Sequence, residues 1–151
     1  MKSSTTRTPC IGVCSTTSLG DPVCRGCQRY AVEVIQWNAY TGPEKEAVLR
    51  RISTLTEQIL RDKFIIVDEE KLAQQLQRSR LPFNEALSPF CWIQTLLKRI
   101  PLQALNLENY GVAIARSYQD MGLQALADQV DEELLVLAEA HHARYFSAHG
   151  V

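Results

Sequence analysis

The sequence predicts a mostly α-helical protein in which a small four-cysteine knuckle module precedes an all-α helical domain. Three observations carry this. Cys10, Cys14, Cys24 and Cys27 fall within eighteen residues, and the chain holds one further cysteine, Cys91. Downstream, apolar residues recur at helical spacing in several stretches, most of them opened by a capping residue. The one β-like run, Phe64-Ile65-Ile66-Val67, has no evident partner strand and reads as a buried connector.

Taken in order, residues 1–8 are polar and predict a disordered tail. Residues 9–55 form the cysteine module with its following helix, and 56–151 the helical domain. Within the module, Gly20-Asp21-Pro22 predicts a chain reversal. A short helix is expected over about Tyr30 to Trp37, with Val34, Ile35 and Trp37 shielding the cysteine loops. Thr41 and Glu44 form a capping box with Pro43 in the first turn, and the helix they open carries Val48, Ile52, Leu55 and Ile59. Asp68 is an N-cap, flanked by a Val67–Leu72 hydrophobic staple. Ser88-Pro89 starts a helix bearing Ile93, Leu96, Leu97 and Ile100, which Pro101 ends. Asn106 caps the next, with Leu107, Tyr110, Ile114, Tyr118 and Met121 in phase and Gly122 closing it. The last helix carries Leu123, Leu126, Val130, Leu134, Leu137, His141 and Tyr145 as one stripe.

Composition narrows the task by exclusion. Across 151 residues, 46% are apolar and 22% charged, and net charge is −1. Such a chain has no overall basic field of the kind that draws nucleic acid or membrane surfaces. Six acids and no Lys or Arg lie between Ser117 and Ala143, read as a solvated helix face. The N-terminus lacks the apolar core of a secretory signal, and no run approaches a membrane span. The expected setting is therefore cytoplasmic, where clustered thiols favour metal over disulfides.

The cysteines read as P-C-I-G-V-C, nine residues, then C-R-G-C. Each close pair can form one tight turn aiming two sulfurs inward, which is what a tetrahedral thiolate site requires. Gly26 before the second sulfur suits a zinc knuckle, in which backbone N–H groups point at thiolates. Cys24 and Cys27 also precede a helix N-terminus, which favours thiolate. Zn²⁺ on Cys10, Cys14, Cys24 and Cys27 is the leading reading. An iron–sulfur cluster on the same residues is the alternative, and reversible dithiol chemistry the third.

With those cysteines, C-R-G-C-x-R, Glu33, Trp37 and P-E-x-E-x-x-L, the segment from about residue 8 to 55 resembles a bacterial family, domain of unknown function 1289. Its members are commonly labelled predicted iron–sulfur or zinc-binding proteins. The resemblance implies the same four cysteine ligands and a bacterial cytoplasmic setting, and it brings no activity with it. The family tends to place Thr where Tyr30 stands, as a helix cap paired with Glu33; Tyr30 departs from that pattern.

Elsewhere the chemistry is sparse. His141 and His142 are adjacent, so their rings point about 100° apart on a helix and do not share one ion easily. His141 reads as a core-edge residue and His142 as surface. Cys91, near a predicted helix start, reads as a small buried hydrophobe. No Ser/His/Asp set, phosphate loop, paired-carboxylate motif or small-molecule substrate site is evident. The expectation is a non-enzymatic metal-binding adaptor that engages a protein partner, with Arg25 and Arg29 as partner-binding cations and, as the alternative for Arg29, a brace of the cysteine loop. A redox or electron-transfer protein is the alternative, and a small RNA-binding regulator using Arg7, Arg25, Arg29, Tyr30 and Trp37 the third.

Overall fold

Reciprocal capping opens the first long helix. Thr41 Oγ1 accepts from the Glu44 N–H (3.2 Å) while Glu44 Oε1 accepts from the Thr41 N–H (2.8 Å), as the sequence predicts. That helix, α3, runs Gly42–Leu60. In the computed structural model, which describes residues 8–9 and 14–148, it is preceded by α1 (Ser15–Ser18), α2 (Ala31–Gln36) and a 3-10 turn, Trp37–Ala39. After it come β1 (Phe64–Ile66), α4 (Glu69–Arg78), α5 (Pro89–Arg99), β2 (Val112–Ile114) and α6 (Leu123–Ala148). Further 3-10 turns span Leu107–Tyr110 and Arg116–Tyr118. The described residues are thus mostly helical, with one small sheet. The disordered tail predicted for residues 1–8 falls almost wholly outside them.

The described residues group into two compact units. One joins those up to Leu55 with those from Asp131; the other runs Thr56–Val130. The boundary falls within α3 and within α6.

The Thr56–Val130 unit is built on Leu60, Phe64, Leu72, Leu76, Ile93, Leu96, Val112, Leu126 and Val130, all fully buried. Its helices start where the sequence places them. Asp68 Oδ1 accepts from the Lys71 N–H to cap α4, and Ser88 caps α5 ahead of Pro89. The staple is weak at one end: Leu72 is buried, but Val67 is largely exposed.

Two expectations are corrected here by a single glycine. The segment from Asn106 to Gly122 is not one helix, because Gly111 adopts φ +67 and ends the Asn106-capped turn after Tyr110. Beta-branched Val112 and Ile114 then extend as β2. This strand pairs antiparallel with β1, Phe64 against Ile114 and Ile66 against Val112. The apolar run at Phe64 therefore has a partner. Its burial alternates, with Phe64 inside and Ile65 out. A side chain at Gly111 would lie 2.7 Å from the Asp68 carbonyl oxygen, so the entry into β2 needs glycine for space as well as for φ.

Lys63, buried at the end of this ribbon, where its carbonyl accepts from the Ala115 N–H, is satisfied locally. Its Nζ donates to the Ile59 carbonyl (2.9 Å) and pairs with Asp62 (3.3 Å), and it faces the Tyr118 ring. An ammonium bonded to a carbonyl in the last turn of α3, from a residue just beyond the helix, also suits the helix dipole.

In the other unit, Val48, Leu55, Leu134 and Ala138 are buried with Val23, Tyr30 and Trp37. The α6 stripe differs from the predicted one. Its buried row is Leu126, Val130, Leu134 and Ala138, while Leu137 and His141 are only partly buried and Tyr145 is exposed. Steps of four residues wind around a helix by about 40° each, so the row continues to His142 and Phe146. Among the described residues, no helix is long and apolar enough to cross a membrane.

Candidate metal centre

Cys24 and Cys27 sit in a miniature hairpin. Val23 and Tyr30 form an isolated antiparallel bridge, and inside it the Cys24 N–H donates to the Arg29 carbonyl (2.8 Å). The Gln28 N–H returns to the Cys24 carbonyl at 2.8 Å, closing the turn. The turn's left-handed residue is Gln28 (φ 63), not Gly26, and its Nε2 donates to the Arg25 carbonyl at 3.0 Å. One turn of helix, α1, braces the hairpin: Ser15 Oγ accepts from the Arg25 N–H at 2.9 Å.

Both thiols are inside, Cys24 at 1% exposure and Cys27 at 5%. Burial pushes the Cys24 thiol up, but backbone N–H groups of Cys27, Ser15 and Gly26, with the Cys27 thiol, outweigh it and hold Cys24 below the ordinary thiol range. Burial dominates at Cys27 and raises it, although the Arg29 Nε–H bonded to its sulfur at 3.3 Å opposes the rise. The Cys24 sulfur, which collects N–H donors in a tight turn, is the one prepared to carry negative charge.

Residues 8–56 match the family described as Protein of unknown function (DUF1289). The matched segment takes in the hairpin, α1, α2 and most of α3. No curated protein and no solved structure matches the chain.

Within the DUF1289 segment, Tyr30 organises a second cluster directly after the hairpin. It is the N-cap of α2, yet its side chain makes no capping bond. Glu33 Oε1 supplies half the cap by accepting from the Tyr30 N–H at 2.9 Å. Glu33 is buried and takes a two-pronged ion pair from Arg51 (2.5 and 2.8 Å), whose guanidinium lies 3.9 Å from the Tyr30 ring centroid. The ring also meets His142 edge-on at 4.9 Å, with Phe146 at 6.3 Å. His142 thus packs against an aromatic ring, where the sequence suggested a surface residue. Burial raises the Tyr30 hydroxyl above its ordinary pKa; Arg51 opposes this, and Glu33 and Tyr145 add to it.

The predicted site residues are not all brought together. Cys10 lies outside the described residues. Cys14 is partly buried and its sulfur lies 3.1 Å from Thr16 Oγ1. Cys14, Cys24, Cys27 and Cys91 all carry thiols. Among the described residues, no three His, Cys, Asp or Glu side chains are grouped to hold an ion. The two arginines separate. Arg25 is exposed and pairs with Asp21 (3.0 Å). Arg29, paired with it in the sequence reading, is 4% exposed and turned onto Cys27 and Trp37. Of the expected shield, Trp37 is buried and Val34 partly so, but Ile35 is 75% exposed. Arg51, His142 and Phe146 were not legible as neighbours of this region, since each is far from Tyr30 in sequence.

Proposed function

We propose that the protein is a non-enzymatic adaptor of the reducing cytoplasm that holds a zinc ion on Cys10, Cys14, Cys24 and Cys27 and offers exposed groups beside it to a protein partner. The observation that carries this reading is the Cys24–Cys27 hairpin, a closed turn whose buried sulfurs receive backbone N–H groups. Its donor set suits zinc: thiolates in a tight turn, with a neighbouring cation, and no oxygen ligands required. Cys10 and Cys14 would complete the four. When bound, zinc supplies a rigid tetrahedral tie and no redox chemistry.

The chain's own residues do the rest. The hairpin and α1 hold Arg25 outward between two ligands, so an approaching partner meets a cation whose backbone is already fixed, at low entropy cost. Val32 and Ile35 on α2 add exposed apolar surface. Of the groups that an RNA binder would use for stacking, Tyr30 and Trp37 are buried, which favours the protein partner.

Elemental analysis and an absorption spectrum of protein purified without oxygen test the site. Zinc near one equivalent with no visible absorption is expected. Stoichiometric iron with visible bands would transfer the reading to an iron–sulfur protein on the same cysteines. Capture from lysate by wild type and by Arg25→Glu tests the adaptor role: the variant should keep its metal and lose its partner, and unchanged capture would reject Arg25 as the contact.

A further inference from the structure

Arg29 is a cation in a place where a lone cation is costly. The residue is 4% exposed, and among the described residues it makes no salt bridge. Glu33, the buried carboxylate nearest in sequence, is occupied by Arg51. What Arg29 does meet is the Cys27 sulfur, to which its Nε–H donates at 3.3 Å, and the face of Trp37, 5.0 Å from the guanidinium carbon. An aromatic face attracts a cation but does not balance its charge.

A buried guanidinium needs an anion, and a neutral thiol is a weak acceptor. Four thiolates around a dication, by contrast, leave two negative charges over, delocalised on sulfur and in need of donors. The same residue fixes the turn mechanically, because its carbonyl accepts from the Cys24 N–H at 2.8 Å. Arg29 therefore touches both ends of the C-R-G-C turn, one through its backbone and one through its side chain.

We propose that Arg29 is the buried counter-ion of the metal–thiolate centre, holding the Cys27 sulfur in place and offsetting part of the centre's negative charge. This rests on the metal reading above. The guanidinium is suited to the task because it is planar, always charged and able to stack on Trp37 while donating sideways to sulfur.

The test compares the full chain with Arg29→Gln, Arg29→Lys and Arg25→Gln. Each is stripped with chelator under argon and titrated with zinc against a chromophoric chelator, with far-UV circular dichroism to follow the fold. Losing a group that supports a ligand lowers metal affinity by about 10–100-fold, which is the effect expected for Arg29→Gln. Arg29→Lys keeps the charge and should recover part of the loss, and Arg25→Gln should match wild type. With Co²⁺ in place of zinc, the thiolate-to-metal absorption should shift in Arg29→Gln and stay fixed in Arg25→Gln. Wild-type affinity in Arg29→Gln, or equal losses in the Gln and Lys variants, would overturn the inference. If Arg29→Gln loses its helical signal, Arg29→Lys decides: zinc affinity near wild type supports charge compensation, and collapse rejects it. A wild type that takes up no metal would instead remove the metal reading itself, a separate failure.

Discussion

Glu33→Gln isolates the buried ion pair beneath Tyr30. The substitution keeps an oxygen to accept from the Tyr30 N–H, so the start of α2 retains its half-cap, but it strips the negative charge from Arg51. Side-chain exposures of 9% for Glu33 and 25% for Arg51 place the pair well inside. Removing one partner of a buried pair costs about 3–5 kcal/mol because the other charge is stranded, and the quarter-exposed arginine puts this case near 3. Since m-values in urea run at about 1–3 kcal/mol/M, the midpoint should fall by about 1–3 M. The readout is Trp37 fluorescence in a Trp92→Phe background, which leaves one tryptophan, in the unit that holds the pair. Arg51→Met and the double variant complete the cycle. The double variant should lose less than the two singles summed, because no charge is then left buried alone. An unmoved midpoint in Glu33→Gln, or additive singles, would refute the claim that the pair stabilises this unit.

Gly111→Ala should destabilise the Thr56–Val130 unit by at least about 1–2 kcal/mol, the cost of a side chain at a left-handed residue, with the approach to the Asp68 carbonyl adding to it; chemical denaturation followed by Trp92 fluorescence checks this. Leu134→Ala should cost about 2–5 kcal/mol, because Leu134 is fully buried on α6. Glu132→Ala on the exposed side should change stability little, and equal effects at the two positions would mean the buried row is misplaced. Tyr30→Phe should alter the alkaline limb of the stability curve. The folded-state pKa of Tyr30 is raised by burial, so its contribution is intact below the ordinary tyrosine value, about 10, and is lost as pH climbs through the folded value. The phenylalanine variant should unfold at higher pH than wild type, read by circular dichroism alongside tyrosinate absorbance.

The helix starts were legible because their chemistry is local. Thr41 with Glu44, Asp68 with Lys71, and Ser88 before Pro89 each act within a few residues, and each caps where it was placed. The break at Gly111 carries only a weak local signal, a glycine followed by Val112-Ala113-Ile114 in a stretch otherwise phased as helix. Helical spacing outweighed backbone freedom there, and what settles the matter is space, since only the folded chain brings the Asp68 carbonyl to that glycine. The α6 row slipped by one residue at its end for a related reason. A stripe written on a straight helix does not follow the i+4 row as it winds, so Tyr145 was predicted inside where Phe146 continues the row.

Tyr30 shows what spacing alone does not reveal. Read as a cap, a tyrosine there is a poor exchange for threonine, whose hydroxyl would bond the backbone of Glu33. Read as a ring, it gains what threonine cannot. Arg51 lies over it, His142 meets its edge and Phe146 is beside it, while Glu33 still satisfies its N–H from the side. One hydrogen bond is exchanged for an aromatic platform on which a buried ion pair and the last described turns of α6 rest. Two residues separate Tyr30 from Cys27, and one of them, Arg29, accepts the Cys24 N–H across the hairpin. A change that disorders the cysteine turn therefore reaches Tyr30 through the backbone. Removal of one sulfur, as in Cys24→Ser, should then loosen α2 and the His142 contact before it disturbs the Thr56–Val130 unit, whose own buried core includes neither cysteine.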